Sequence, residues 1–261
     1  SAMCRWLNLP RSSYYYKSTE AVSEADLEEK VKQIFLESKS RYGARKIKQC
    51  LATDGITLSR RRIRRIMKRL NLVSVYQRAS FKPHSKGKNE SPIPNLLARQ
   101  FHQERPLEAI VTDLTYVRVG QRWAYVCLIM DLYNREIIGL SVGWQKSAEL
   151  VKQAIQSIPY ALTKVNLFHS DRGKEFDNQL IDEVLEAFGI TRSLSQAGCP
   201  YDNAVAESTY RSFKLEFIHQ ETFQSLEELT LKTKNYVHWW NHHRIHGSLN
   251  YQTPIAKRVT A

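Results

Sequence analysis

Residues 109–119 read AIVTDLTYVRV, residues 122–131 read RWAYVCLIMD, and residues 135–143 read REIIGLSVG. Each stretch is rich in β-branched and aromatic residues. The first two are separated by Gly120-Gln121 and the last two by a turn at Tyr133-Asn134. Such runs with short polar breaks predict three consecutive antiparallel strands. Downstream the periodicity changes: a helix is predicted over 147–157, a short apolar strand over 164–170, and a helix over 177–188 ended by Gly189. A strand over 190–194 follows, then helices over 203–219 and 226–241. A three-strand meander followed by alternating helix and strand implies an α/β domain, with a mixed five-stranded sheet flanked by helices.

The residues before this domain have a different character. From Lys39 to Lys88 there are sixteen Lys and Arg and a single acid, Asp54. That is +15 in fifty residues, against +13 for all 261, so the remainder is close to neutral. A surplus concentrated in this way is the footprint of a surface that displaces counterions from phosphates. Three short helices are predicted there: 23–38 capped by Ser23, 44–52 after Gly43, and 59–70 capped by Ser59. In the third, Ile63, Ile66, Met67 and Leu70 share one face and Arg60, Arg61, Arg62, Arg64, Arg65, Lys68 and Arg69 occupy the rest. This is a small all-α, helix-turn-helix-like module with a basic reader helix. The domain division is then 1–78 for the basic helical region, 79–105 for a linker rich in proline and lacking periodicity, and 106–261 for the α/β core with a helical tail. A solvated arginine-rich helix and an RNA-binding face are the competing readings of the same charge.

Other features exclude classes of function. Cys4, Cys50, Cys127 and Cys199 form no Cys-x-x-Cys pair, so neither a disulfide framework nor a cysteine-rich zinc site is expected. No His/Cys set precedes His84, which leaves no amino-terminal zinc module. The longest apolar run, 124–130, is too short to cross a bilayer. A soluble, cytoplasmic protein is expected. Ser1-Ala2 reads as the scar of a tag, with the natural start at Met3 or further upstream.

Three acids stand where chemistry is plausible. Asp113 interrupts an apolar strand, where a carboxylate is costly unless something pairs with it. Asp171 directly follows a strand, the usual place for functional groups in open sheets. Glu207 opens a helix. Carboxylates suit hard cations, and two Mg²⁺ ions can activate a nucleophile and stabilise a leaving oxygen in phosphodiester chemistry. Taken singly, each acid is as well explained by a turn, a cap or solvent. Asp131 and Asp202 read as turn and N-cap groups. His238, His242 and His246 would line up on one continuing helix, but no cysteine accompanies them. His169 beside Asp171 fits either a packing role or one that tunes the site.

Thirty-five residues separate Asp171 from Glu207. With Thr112-Asp113-Leu114-Thr115-Tyr116, His169-Ser170-Asp171-Arg172-Gly173 and Tyr201-Asp202-Asn203-Ala204-Val205-Ala206-Glu207-Ser208 in order, the chain resembles the Asp-Asp-35-Glu recombinases of the retroviral-integrase superfamily. More closely it resembles the second-reading-frame transposases of bacterial insertion-sequence family three. The Tyr42-Gly43-Ala44-Arg45-Lys46-Ile47 stretch and the tail from Trp240 to His246, followed by Tyr251-Gln252-Thr253-Pro254, carry the same resemblance. It implies a ribonuclease H-like fold. It also implies that Asp113, Asp171 and Glu207 hold two Mg²⁺ ions, with Mn²⁺ as a substitute. The reaction implied is cleavage at transposon ends, followed by transfer of the resulting 3′-hydroxyl to a phosphodiester. Lys214, seven residues after Glu207, and Arg211, four after on the same face, would contact DNA, with an ordinary Glu207–Arg211 ion pair as the plainer reading of that helix; Arg244 and the nearby tryptophans read as a DNA-facing or packing cluster. Partners implied are double-stranded transposon ends and target, further copies of the chain, and an upstream-frame helix-turn-helix/leucine-zipper protein. Two other functions remain open at this point: a DNA-binding regulator on an inactive fold, and a ribonuclease H-like nuclease that cuts without joining.

Overall fold

A computed structural model describes residues 2–7, 10, 23–77 and 91–260. The Ser12-to-Tyr16 stretch and the basic residues Arg78, Lys82, Lys86 and Lys88 lie outside the described residues. The chain divides into two compact units, Ser1–Ser74 and Val75–Ala261.

The first unit contains α1 (Ala2–Trp6), α2 (Glu24–Glu37), α3 (Ala44–Thr53) and α4 (Arg60–Arg69). Ser23 caps α2 by accepting from the Asp26 amide, and Ser59 caps α4 by accepting from the Arg62 amide at 3.2 Å. Asn71 leaves α4 in the left-handed conformation (φ 52°). Leu27, Val31 and Phe35 of α2, Ile47 and Leu51 of α3, and Ile63, Ile66 and Met67 of α4 are buried. The apolar stripe read in the sequence of α4 is thus the packing face of a three-helix core.

The second unit is built on one sheet, order β3-β2-β1-β4-β5. β1 (Ala109–Val119), β2 (Arg122–Asp131) and β3 (Ile137–Gly143) form the antiparallel meander; β4 (Leu167–Ser170) and β5 (Thr191–Leu194) add in parallel beside β1. Gly120, at φ 53°, lets the two-residue β1–β2 turn close. β3 begins two residues later than the sequence suggests. Arg135 sits at φ 61° and its amide bonds to the Asp131 carbonyl, so residues 131–136 form a tight corner. Similarly, residues 162–164 make a 3₁₀ turn and only Leu167–Ser170 is strand.

Helices cover both faces of the sheet. Its four helices are α5 (Ala148–Gln156), α6 (Gln179–Ala187), α7 (Ala204–Glu216) and α8 (Leu226–His242), with α9 (Pro254–Val259) following. Ile110, Cys127 and Ile129 face α5 and α6, with Leu150, Ala154, Ile181 and Leu185. Val111, Val117, Val126 and Leu128 face α7 and α8, with Tyr210, Phe213, Tyr236 and Trp240. Covering on both sides explains why β2 is buried from Val126 to Asp131 without alternation. Residues 91–105, expected as linker, are instead laid along the core. The Leu96 and Leu97 amides donate to Ser193 Oγ, the Leu194 amide donates to the Pro94 carbonyl, and Leu97 is buried. Among the described residues no helix is long and apolar enough to cross a membrane.

Candidate active site

The parallel β1–β4 ladder pairs Val111 with His169. The ladder ends there: Asp113 stands two residues further along β1, and Asp171 follows directly on the last residue of β4, Ser170. By the same alternation Asp113 lies on the α7 face of the sheet. Asn203, Glu207 and Tyr210 lie at i, i+4 and i+7, one face of α7. Asn203 Nδ2 donates to the Thr112 carbonyl at 3.3 Å, and the Tyr210 hydroxyl donates to the Asp113 carbonyl. The same hydroxyl accepts from the Leu128 amide at 2.6 Å. Glu207, exposed in the first turn, is therefore held over the segment that carries Asp113, between two side chains bonded to β1. Burial pushes the Tyr210 phenol well above its ordinary range, which keeps it protonated and donating.

Asp171 is fixed from behind by Arg172. The Arg172 guanidinium donates to the carbonyls of Ser195 (2.7 Å), Ser91 (2.5 Å) and Ile93 (3.1 Å), tying the loop after β4 to β5 and to the 91–93 segment. Glu175, buried in the same loop, pairs with Lys146 at 2.8 Å. A Cβ on Gly173 would sit 2.4 Å from the Glu175 carboxylate, so a larger residue there would have to displace the Glu175 side chain. His169 is fully buried between Ser193 Oγ (2.9 Å) and Ser195 Oγ (3.2 Å). Burial, against the smaller pull of Asp202 and Asp171, lowers its pKa to about 4, so the ring is neutral near pH 7.

The donor set is right for a hard cation: three carboxylates, two in adjacent strands and one on the helix docked to them. Both aspartates bond to the backbone that follows them. Asp113 Oδ1 accepts from the Leu114 amide at 2.7 Å and Asp171 Oδ1 from the Gly173 amide at 3.0 Å. Among the described residues no group of three or more His, Cys, Asp or Glu stands close enough to hold a metal ion.

The other singled-out residues divide clearly. Asp131 is wholly buried; it accepts from the Leu107 and Tyr133 amides and pairs with Arg258, and burial raises its pKa. Asp202 caps no helix: it accepts from the Gln196 amide and from Arg99 Nε, pinning the loop before α7. α8 ends at His242, so His246 leaves the line of His238 and His242; its ring packs on Trp240 at 4.7 Å. Arg244 corrects an expectation. It is buried, bonded to both Glu216 oxygens and stacked 4.2 Å over Trp240, so its charge serves the interior and is not displayed to a phosphate. Tyr236 and Tyr76 also donate to Glu216, which completes a buried polar network between α7, α8 and residues 75–77. Arg211 is exposed, and Lys214 lies over the Tyr116 ring at 5.2 Å. In α4, Arg60, Arg61, Arg64, Arg65 and Lys68 are exposed, whereas Arg62 and Arg69 pair with Glu24, and Arg69 also with Glu28. Tyr210 and Glu216 carried no sequence signal, and Arg172 and Asn203 stood in the motifs without a role of their own, because each acts on a backbone or a side chain remote in the chain.

Comparison with known proteins agrees with this geometry. Residues 103–200 match the family described as integrase core domain, residues 188–254 a second integrase core domain family, and residues 22–80 an HTH-like domain. The transposase InsF of insertion sequence IS3A from Escherichia coli (strain K12) is 30% identical, over 95% of this chain and 91% of that protein. The transposase of insertion sequence element IS904 from Lactococcus lactis subsp. lactis (strain IL1403) is 29% identical, over 91% and 95%. The simian T-cell lymphotropic virus intasome, solved in complex with PP2A regulatory subunit B56 gamma, contains a chain that superposes with TM-score 0.52. That match has 12% identity and covers 88% of this chain and 74% of that one, a likeness of fold. With an integrase core on a mixed five-stranded sheet, an HTH-like domain, and 30% identity along nearly the whole IS3A protein, the chain belongs to the IS3-family insertion-sequence transposases.

Proposed function

We propose that this transposase cuts transposon-end DNA and joins the freed 3′-hydroxyl to a second phosphodiester, with Asp113, Asp171 and Glu207 as the ligands of two divalent cations. Mg²⁺ is the expected ion and Mn²⁺ its substitute. The observation that supports the reading is that Tyr210, on the same helix face as Glu207, bonds to the Asp113 carbonyl of β1, the strand whose parallel neighbour β4 ends directly before Asp171. Bound there, the cations would lower the pKa of the attacking water and offset charge on the leaving oxygen. The chain's own residues do the rest. Arg172 and the Gly173 turn hold Asp171 in place. Arg211 and Lys214, on the exposed side of α7, take phosphates of the end, and the free arginines of α4 take backbone phosphates of the duplex. In the first step water adds to phosphorus and the 3′-oxygen leaves. In the second that 3′-oxygen displaces another 3′-oxygen at the target, conserving the number of phosphodiesters. No covalent enzyme intermediate is involved. Assembly of several copies on paired ends, and joining to an upstream-frame helix-turn-helix/leucine-zipper protein, complete the proposal.

A strand-transfer assay tests it, using labelled end duplex with Mg²⁺ or Mn²⁺ and comparing the chain with its Asp171→Asn variant. Joined products that require both metal and Asp171 support the reading. Equal products from both proteins overturn it, and metal-dependent cutting with no joining reduces it to a nuclease.

A further inference from the structure

β1 outruns its parallel neighbour: β4 pairs with it only at 109–111, while β1 continues to Val119 with β2 alone. Beyond Asp113 its other edge is uncovered by strand. The register sets Tyr116 opposite Tyr125 and Arg118 opposite Trp123, which places Tyr116, Arg118 and Trp123 on one face. Deeper in the sheet that face is buried under α5 and α6 through Ile110, Cys127 and Ile129. Past Leu114 the covering ends: Tyr116 is 53% exposed and Trp123 49%. The opposite face at this level is fully packed through Val117, Val119 and Ala124. The fold therefore leaves two large rings in water on one side only.

The two rings meet edge to face, with centroids 5.1 Å apart and an interplanar angle of 88°. Arg118 lies 5.3 Å over the Trp123 ring, and Lys214 reaches across from α7 to lie 5.2 Å over Tyr116. Tyr116 is three residues from Asp113, roughly 10 Å along an extended strand and on the opposite face, and Lys214 of α7 spans the open edge between the two faces. That is about three steps of stacked DNA bases. Aromatic rings flanked by cations are the combination that binds single-stranded nucleic acid: the rings stack on bases of any kind and the cations neutralise the backbone.

We propose that Tyr116 and Trp123 form a stacking platform for an unpaired DNA base that passes round the open edge of β1 from the catalytic acids, with Arg118 and Lys214 holding the flanking phosphates. The proposal rests on the reading of Asp113, Asp171 and Glu207 as the reacting centre. The other occupant an open strand edge invites is a second copy of the chain. Positive charge along such an edge opposes strand addition between like chains and attracts a polyanion, which favours the nucleic acid. None of the three face residues contributes to either core, so their role is one of binding.

The test uses the full chain, a single-stranded oligodeoxythymidine, and end duplexes whose bases next to the cleaved bond are paired or mismatched. The Tyr116→Ala/Trp123→Ala double variant is expected to bind the oligonucleotide roughly tenfold or more weakly than wild type. Trp123→Phe keeps most of the affinity and loses part of the tryptophan quenching that the oligonucleotide causes. On paired ends, metal-dependent cleavage by the double variant falls by a similar factor, and mismatched ends restore most of it. Unchanged oligonucleotide affinity in the double variant, or an equal cleavage defect on paired and mismatched ends, overturns the platform. So does a variant whose sedimentation shifts toward monomer while its oligonucleotide affinity holds, since that assigns the face to a second copy. Wild type that binds through the rings yet never cleaves would overturn the reading of the acids and leave the platform standing; wild type that cleaves alongside indifferent variants would do the reverse.

Discussion

The Tyr210 hydroxyl donates to the carbonyl of Asp113 and accepts the amide of Leu128, so a single oxygen of α7 bridges β1 and β2 beside the acid between them. One turn earlier on the same face is Glu207. Tyr210 thus fixes the helix that carries Glu207 against the strand that carries Asp113.

Tyr210→Phe should separate position from chemistry. It strands the buried Leu128 amide and Asp113 carbonyl at a cost of about 1–3 kcal/mol, read as a lower urea midpoint with an unchanged slope. Strand cleavage should fall by about tenfold or more while affinity for end DNA stays within twofold. A variant that is destabilised but fully active would remove Tyr210 from the positioning of Glu207.

Arg244→Ala should behave as a core mutation. Leaving the buried Glu216 carboxylate without its guanidinium costs about 3–5 kcal/mol. The salt dependence of DNA binding by the folded fraction should not change. A normal melting temperature together with a shallower salt slope would restore Arg244 as a phosphate contact.

The arginines of α4 should divide by their ion pairs. Arg64→Ala or Arg65→Ala removes an exposed cation and should reduce the slope of log affinity against log salt by about one. Arg62→Ala and Arg69→Ala, which also release Glu24 from its pairs, should change the slope less. A slope unchanged from wild type in Arg64→Ala and Arg65→Ala would mean that α4 does not lie on the DNA backbone.

His169 should leave a signature in acid. Its pKa in the fold, about 4, is below the ordinary 6.5, so the unfolded chain binds the extra proton first. The stability it contributes is fully present above pH 6.5 and is lost as pH falls through 6.5 toward 4, a total of about 3 kcal/mol. The difference in unfolding free energy between wild type and His169→Gln, measured from pH 7.5 to 4, should shrink by that order. A difference independent of pH would show the ring to be charged or solvated in the fold.

How much of this was legible in the sequence follows from range. β1 and β2 run from Ala109 to Val119 and from Arg122 to Asp131, the bounds their apolar runs suggest, because alternation and the Gly120 turn are local. The caps at Ser23 and Ser59 were visible for the same reason. Asp113, Asp171 and Glu207 were picked out by motif and spacing, and they stand in β1, directly after β4 and in the first turn of α7. Local propensity missed what depends on distant partners. Residues 91–97 look like a linker until Ser193 and Arg172 supply bonds to their backbone. Arg244 looks like a surface cation until Glu216, twenty-eight residues away, meets it in the interior. Asp202 reads as a cap because Arg99, more than a hundred residues earlier, cannot be foreseen as its partner.

The most direct measurement of the central claim replaces a proposed metal ligand by sulfur. End cleavage would be measured for Asp171→Cys in Mg²⁺ and in Cd²⁺, with Asp171→Asn as control. Thiolate is a poor ligand for Mg²⁺ and a good one for a soft ion. The account predicts no cleavage by either variant in Mg²⁺ and recovery in Cd²⁺ for the cysteine variant alone. Cleavage by Asp171→Asn in Mg²⁺ at the wild-type rate would contradict it.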